Sequence, residues 1–394
     1  MLDAPLLIGN TRKAPLTTKT GWRAFVANDF HCAEERFGDL KARRALARRD
    51  RNGFDRARLD HIRRFVIETR HFEEIHKQLL SVVEANEGAD PPLAGGVIDS
   101  VEANYGKSWT MRHFGRWYER HLLTLGLDEG DGDDPNNDDF VPVVYVTLKR
   151  DSQTTWLDEQ LLRFYGAAAP RSSGSFRMRD LSDRVADEAH ACRTSLILVD
   201  DIHKLKAWRH DDVAIADHLN YLASEIGATF VYAGINCEEG GVFGEGAEGA
   251  LGFARGTQTS GRFMHLKIER FAQDSDWQTV LLQFEEELVL LKARPGDLCE
   301  RLPAYIYERT GGLIGATSYL LRRGALGAIK TGDERITKEL LEQIQLPVAA
   351  EAEREEREKA RAARKKREKA ASKKSRPEAK QARRNSRSAG SVEP

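Results

Sequence analysis

Five short apolar segments alternate with amphipathic segments in the middle of this 394-residue chain, and this alternation constrains the fold more than any other feature. Runs of β-branched, aliphatic and aromatic residues predict strands at residues 96–99, 141–148, 195–200, 229–234 and 263–268. Between them, apolar residues three or four positions apart predict helices, as in Leu181, Val185, Ala189 and Cys192. Strands that alternate with helices favour an α/β fold, in which helices cover both faces of a mostly parallel sheet.

Helical patterns flank this α/β segment on both sides. Apolar residues at helical spacing predict one or two amphipathic helices before it and a small all-helical domain after it. The first residues are rich in Arg and Lys and show no sustained period, so we interpret them as an irregular extension. The predicted organisation is an extension at 1–54, a helical adaptor segment at 55–90, an α/β domain at 91–270, a helical domain at 271–346 and a tail at 347–394.

The end of the chain differs sharply in charge from the rest. Residues 351–394 carry 16 Lys and Arg against 8 Asp and Glu, a net charge of +8, whereas residues 1–350 carry 45 against 54, a net charge of −9. This basic tail has no aromatic residue, so it cannot bury enough surface to fold alone, and we expect helix followed by disorder. Two interpretations stay open, a solubilising tail and an arm that binds a polyanion by releasing counterions from phosphates.

Composition argues against several other classes of protein. The longest nearly apolar stretch, residues 230–235, is far shorter than the ~20 residues that cross a bilayer. The N-terminus lacks the basic and then apolar pattern of a secretory signal. The four cysteines are far apart, without a C-x-x-C pair or a histidine spaced for zinc, so we expect buried free thiols. These features predict a cytoplasmic protein with no membrane partner.

A phosphate-binding loop is predicted at Gly106-Lys107-Ser108, between the first strand and a helix. In this context backbone N–H groups would hold phosphates, Lys107 would reach the β- and γ-phosphates, and the Ser108 hydroxyl would bind Mg²⁺. The pattern G-x-x-x-x-G-K-[ST] is degenerate, because Val101 occupies its first glycine. The expected nucleotide-binding residues are Asn104, Tyr105, Gly106, Lys107, Ser108 and Trp109.

A pair of acidic residues supplies the second element of such a site. The apolar run at residues 196–199 predicts a buried strand, and it ends in Asp200-Asp201. Two carboxylates beside a phosphate loop suit metal binding and water activation. We expect Asp200 to contact Mg²⁺, directly or through water, and Asp201 to polarise the attacking water. The alternative is structural, since acidic residues at a strand end also cap the following helix.

Two further polar residues are candidates for catalysis. Asn236 follows the strand at 229–234, where its side chain would sense the γ-phosphate. Arg262 stands just before the strand at 263–268, where an arginine would reach the nucleotide of a neighbouring subunit. Arg255 is a rival for that role, and an exposed loop arginine without a role is the alternative for either residue.

Taken together, these motifs resemble those of the AAA+ ATPases and, within them, of the bacterial TniB/TnsC-like transposition ATPases. The resemblance covers about residues 55–346 and rests on VIDSVEANYGKS, LILVDDIH, TFVYAGIN, SGRFMHLKIERF and GGLIGATSYLLRRGALGAIKTGDERIT. It implies an α/β P-loop NTPase fold with a parallel sheet core and a C-terminal all-helical lid domain, here followed by the disordered basic tail. Such proteins bind ATP with Mg²⁺, form homo-oligomers on DNA, and recruit or activate a DDE transposase.

Three departures from the family pattern leave alternatives open. Val101 replaces the expected glycine, and Asp201 stands where TniB-like proteins usually have Glu, although helicase loaders and initiators often have Asp-Asp there. In the lid, Ile314 or Gly315 takes the usual position of a sensor arginine, so no such residue is assigned. The leading hypothesis is a DNA-bound, ATP-hydrolysing regulator of transposition. The alternatives are an AAA+ ATPase in helicase loading or phage defence, and a nucleotide-binding scaffold without turnover.

Overall fold

The computed structural model describes residues 14–28, 37, 48–92, 94–128, 140–150, 154–167, 178–204, 213–237, 263–347, 351, 354 and 359. In these ranges the helices are α1 (Lys19–Val26), α2 (Arg48–Arg64), α3 (Arg70–Asn86), α4 (Lys107–Thr124), α5 (Thr154–Tyr165), α6 (Met178–Ala191), α7 (Val213–Ile226), α8 (Ser275–Glu287), α9 (Pro303–Thr310), α10 (Ile314–Thr331) and α11 (Lys338–Glu342). The strands are β1 (Gly95–Ser100), β2 (Val143–Thr147), β3 (Leu196–Asp200), β4 (Thr229–Ile235) and β5 (Phe263–Lys267). Of the helices described, none is long and apolar enough to cross a membrane.

The five strands form one parallel sheet in the order β2-β3-β4-β1-β5. Because β1 lies between β4 and β5, the segment that follows β1 begins beside the carboxyl end of β4 and one strand away from that of β3. The register places Asp99 opposite Gly234, and Asp200 opposite both Thr147 and Ala233. In open α/β sheets, ligands bind at the carboxyl ends of the strands, at the point where the strand order reverses.

All five strands predicted from the sequence are present, each within two residues of its predicted bounds. Every residue of β1 and β3 is buried, because helices cover both faces of the sheet, and this explains their continuous apolar runs. The helical lid is also present as α8 to α11, which confirms the predicted fold class. Most of the basic tail lies outside the described residues.

The N-terminal segment differs from the sequence interpretation, since part of it is regular. Residues 19–26 form α1, and α2 begins at Arg48, within the segment that we interpreted as irregular. The Thr18 hydroxyl caps α1 by accepting the N–H of Gly21, and Trp22 and Val26, four residues apart, are buried. Two turns of helix give too few apolar positions to establish a period. The boundaries of the predicted domains stay a prediction.

Helix α1 docks on α4, the helix that follows the predicted phosphate loop. The indole N–H of Trp22 donates to Glu119 Oε2 at 2.7 Å, and the indole is only 1% exposed. Arg116 and Arg120 of α4 donate to backbone carbonyls at the C-terminal end of α1. Cations placed at this end also complement the helix dipole. Both an apolar contact and hydrogen bonds therefore hold α1 against the sheet domain.

Helix α2 is fastened to the lid by two arginines. The guanidinium of Arg58, 2% exposed, forms a bidentate pair with Glu334, with Nη1 and Oε2 2.6 Å apart. From the lid side, Arg322 of α10 stacks over the ring of Phe65 at 3.8 Å and donates to the Phe65 carbonyl at 2.7 Å. A buried charge needs partners for its hydrogen bonds, which Arg58 finds in a carboxylate and Arg322 in backbone carbonyls, so these contacts hold the lid against α2 and the residues that follow it.

The docking of α1 predicts a pH-dependent stability. Burial raises the pKa of Glu119 from 4.5 to about 7, although the Trp22 hydrogen bond and the charge of Arg23 oppose the shift. Between these values the folded chain binds more protons than the unfolded chain, so the free energy of unfolding falls as the pH rises. We expect a loss of up to about 3 kcal/mol between pH 4.5 and 7, measured by urea unfolding.

The variant Glu119→Gln keeps an oxygen that can accept the indole N–H but cannot titrate. It should remove this part of the pH dependence, whereas Glu225→Gln, at an exposed position, should not. The same pH dependence in wild type and Glu119→Gln would contradict the assignment.

Candidate nucleotide-binding site

The loop between β1 and α4 has the backbone of a tight, glycine-dependent turn. Its left-handed residues are Asn104, with φ 68°, and Gly106, with φ 95°. Val101, at the position of the expected first glycine, has no positive φ, and its side chain is 66% exposed. Valine therefore introduces neither backbone strain nor a clash at this position. The departure from the phosphate-loop pattern is compatible with the loop's shape.

Helix α4 begins at Lys107, directly after the loop, so its N-terminus faces the loop. Gly106 is its N-cap and has no side chain that could accept the first backbone N–H groups. The helix has 18 residues, so the positive end of its dipole also lies at this loop. Free N–H groups at the start of a long helix suit an anion such as phosphate.

The side chain of Lys107 packs against the same loop. Its ammonium donates to Ser100 Oγ and, at 3.0 Å, to the Glu102 carbonyl. Burial lowers the pKa of Lys107, while the carboxylates of Asp99 and Asp200 oppose that shift. The side chain is thus a buried cation beside the loop, held by neutral oxygen atoms that a phosphate would outcompete.

Asp200, at the end of β3, meets the start of α4. Its Oδ1 accepts the Ser108 hydroxyl at 2.9 Å and the Asp201 N–H at 2.9 Å, and its Oδ2 accepts the Tyr145 hydroxyl at 2.9 Å. Burial raises the pKa of Asp200, and the hydrogen bond from Ser108 opposes that shift. A hydroxyl and a carboxylate form an oxygen-only donor set that fits Mg²⁺, which usually completes its octahedron with waters and phosphates.

The structure places the other two described candidates at the same edge of the sheet. Asp201 has φ 60° and a side chain that is 34% exposed, and its carboxylate pairs with Lys204. Asn236, with φ 51°, donates its backbone N–H to the Ser100 carbonyl at 3.0 Å and lines a cavity of about 320 Å³ beside the loop. Arg262 and its rival Arg255 lie outside the described residues.

The lid touches the loop through its backbone. The N–H of Gly315, in the first turn of α10, donates to the Asn104 carbonyl at 2.9 Å. A Cβ at Gly315 would lie 2.6 Å from that oxygen, and a Cβ at Gly106 would lie 3.2 Å from the Ile314 side chain. Glycine at 315 therefore permits close approach of the lid to the loop.

A cavity of about 190 Å³ opens between the adaptor helices, the loop and the lid. Its walls are mainly apolar and aromatic, and they include Ile67, His71, Tyr105, Trp109, Ile314 and Phe271. Such a slot suits a flat, largely apolar ring system. Tyr105 and Trp109 could be assigned from the sequence and the others could not, because no motif links residues as far apart as Ile67 and Ile314, which are separated by 247 positions.

Comparisons with known proteins agree with this geometry. Residues 102–238, from the loop to the end of β4, match the family model described as an AAA domain. The chain is also similar to the Aeropyrum pernix ORC1 protein, solved in complex with DNA, at 16% identity and a TM-score of 0.50, covering 73% of this chain and 66% of that one. The fold is that of an AAA+ P-loop ATPase. No curated protein matches the sequence significantly.

Two other solved structures match with lower TM-scores. Cdc6p from Pyrobaculum aerophilum matches at 15% identity with a TM-score of 0.46, covering 68% of this chain and 65% of that one. Domain III of the Thermotoga maritima replication initiation protein DnaA matches at 10% identity with a TM-score of 0.40, covering 70% and 91%. This chain spans just under two thirds of the length of the ORC1 and Cdc6p chains. The TniB/TnsC-like assignment stays a prediction.

The contact between loop and lid predicts opposite effects for two glycines of α10. Gly315→Ala would push α10 away from Asn104 and should lower the free energy of unfolding by on the order of 1–3 kcal/mol. Gly327→Ala is the matched control, because its Cβ would meet only the Leu340 side chain at 3.4 Å. It should raise stability by about 0.5–1 kcal/mol. Urea unfolding measures both, and a stabilised Gly315→Ala chain would contradict the contact.

Proposed function

We propose that this chain binds MgATP at the loop before α4 and hydrolyses it. The hydrogen bond between Ser108 and Asp200 is the observation that carries the proposal. It joins the first turn of the loop helix to the carboxylate that ends β3, two elements that lie 92 positions apart in the sequence. Their meeting beside a left-handed Gly106 and a buried Lys107 is the arrangement that nucleotide phosphates and a metal require.

Each residue of the site then has a chemical role. Backbone N–H groups of residues 104–109 surround the phosphates, and Lys107 leaves Ser100 and Glu102 to bind the β- and γ-phosphates. Ser108 and Asp200 would hold Mg²⁺, which when bound would neutralise charge on the phosphate oxygens. The base would fit the cavity between the segment at residues 67–71, the loop and the lid, against Tyr105 and Trp109.

Hydrolysis needs a group that orients water and a second cation. Asp201 is the partly exposed carboxylate that follows Asp200 in the chain, and it must exchange its pairing with Lys204 for a water molecule. Asn236 would contact the γ-phosphate from the end of β4. Arg322 of the lid lines the cavity beside the loop, but its guanidinium is engaged with backbone carbonyls. We therefore assign the second cation to Arg262 of a neighbouring subunit, with Arg255 as the alternative. This assignment requires a homo-oligomer.

The proposal extends to two partners, DNA and a transposase. We infer that the oligomer assembles on DNA and there recruits or activates a DDE transposase. The net charge of +8 on residues 351–394 supports non-specific DNA binding. The lid and strand motifs that resemble TniB/TnsC-like proteins support the transposase as partner.

Nucleotide binding is tested with Lys107→Ala. Removal of a charged hydrogen bond to phosphate should weaken ATP binding by at least ~1.5–3 kcal/mol, measured by calorimetry. Lys330→Ala, at an exposed position in the last turn of α10, is the control and should bind like the wild type. Equal ATP affinity in wild type and Lys107→Ala would refute the phosphate-loop assignment.

DNA binding is tested with a chain that lacks residues 351–394. For the full chain, the logarithm of the DNA affinity should fall with the logarithm of the salt concentration by ~0.9 per phosphate neutralised. The shortened chain should show a flatter slope, measured by fluorescence anisotropy on DNA of random sequence. An unchanged slope would make the tail a solubility device and move any DNA contact to residues 1–350.

A further inference from the structure

One carboxylate oxygen of Asp200, Oδ2, accepts a hydrogen bond from a residue outside the phosphate loop. Asp200 is buried, and its Oδ1 already accepts the Ser108 hydroxyl and the Asp201 N–H. Its Oδ2 accepts the hydroxyl of Tyr145, which lies on β2. A carboxylate with donors on both oxygens has a fixed rotation about its side-chain bonds. Tyr145 therefore helps to decide which way the Asp200 oxygens face.

The ring of Tyr145 is in turn held by α1. The Trp22 indole stacks on the Tyr145 ring with 5.8 Å between centroids and 19° between planes. The guanidinium of Arg112, on α4, lies 6.0 Å from the centroid of the same ring. Tyr145 is buried, so movement of its hydroxyl requires movement of these neighbours.

Helix α4 fixes Trp22 in that position. Glu119 accepts the indole N–H, and Gly115 leaves space for the ring, since a Cβ there would lie 3.2 Å from two Trp22 ring atoms. The same Cβ would lie 2.5 Å from Leu198 Cδ1, so Gly115 lets α1, α4 and β3 come together. The helix that holds Trp22 at Gly115 and Glu119 is the one that begins with Lys107 and Ser108.

We propose that Trp22 and Tyr145 are positioning residues for the nucleotide site, and that the docking of α1 thereby sets how well Asp200 holds Mg²⁺. The inference rests on the proposed function. Trp22 lies outside residues 102–238, the part that matches the AAA domain, so a segment beyond that domain controls its metal-binding carboxylate. When α1 is displaced, the Tyr145 ring loses its packing partner, its hydroxyl leaves Oδ2, and Asp200 loses the orientation in which it would hold Mg²⁺.

Two substitutions test the positioning, each with a matched control. Tyr145→Phe removes the hydroxyl, and its control is Tyr165→Phe, which removes the hydroxyl of another buried tyrosine, one that bonds Thr194. Trp22→Phe removes the indole N–H and part of the stacking surface, and its control is Phe164→Leu, a change at another buried aromatic residue. The milder Trp22→Phe is chosen over Trp22→Ala so that the chain folds.

The first measurement is the affinity for a fluorescent ATP analogue with Mg²⁺ and with EDTA. The affinity with Mg²⁺ divided by the affinity with EDTA gives the increase in nucleotide affinity that is due to the metal. We expect Tyr145→Phe to reduce this gain by about tenfold, the usual effect of one lost hydrogen bond to a charged group, with little change in EDTA. Trp22→Phe should reduce the same gain by a smaller factor, and the double variant should be no worse than Tyr145→Phe alone.

The second measurement is hydrogen exchange without nucleotide. The Asp201 N–H donates to Asp200, so its exchange reports on the carboxylate directly. It should exchange faster in Tyr145→Phe and Trp22→Phe than in wild type and controls. Wild-type exchange in both variants, or changes equal to those of the controls, would overturn the proposal. If the wild type binds no nucleotide, the proposed function fails, while the exchange result still decides whether α1 positions Asp200.

Discussion

The burial of one carboxylate, that of Asp200, is the constraint around which this site is built. A buried carboxylate is costly unless its oxygens accept hydrogen bonds. Here the donors come from three places, the first turn of α4 (Ser108), the neighbouring strand β2 (Tyr145) and the turn after β3 (Asp201). The phosphate loop, the sheet and, through Tyr145, helix α1 are therefore all positioned relative to one side chain.

Much of this arrangement could be predicted from the sequence, because its signals are local. Strands buried on both faces appear as continuous apolar runs, and Gly106-Lys107-Ser108 and Asp200-Asp201 follow two of them. The positioning of Asp200 could not be predicted, because it depends on pairs that are far apart. Trp22 and Glu119 are separated by 97 positions, and Tyr145 and Asp200 by 55, and no spacing rule links them.

Two departures from the family pattern have a structural explanation that the sequence did not provide. The left-handed residues of the loop are Asn104 and Gly106, so Val101 fits the backbone without glycine. The position expected for a sensor arginine falls on Ile314 or Gly315, and at Gly315 a Cβ would collide with the Asn104 carbonyl, against which the first turn of α10 lies. Both observations are compatible with nucleotide binding, and the contact at Gly315 shows that the backbone of the lid lies close to the loop.

A structure of the full chain with Mg²⁺ and a non-hydrolysable ATP analogue tests the central claim most directly. The account predicts that the phosphates lie against the first turn of α4 and that the Lys107 ammonium has moved from Ser100 to the β- and γ-phosphates. The metal should lie within coordination distance of Ser108 Oγ and beside Asp200, whose Oδ2 still accepts the Tyr145 hydroxyl. A nucleotide bound elsewhere, or a metal that contacts neither Ser108 nor Asp200, would contradict it.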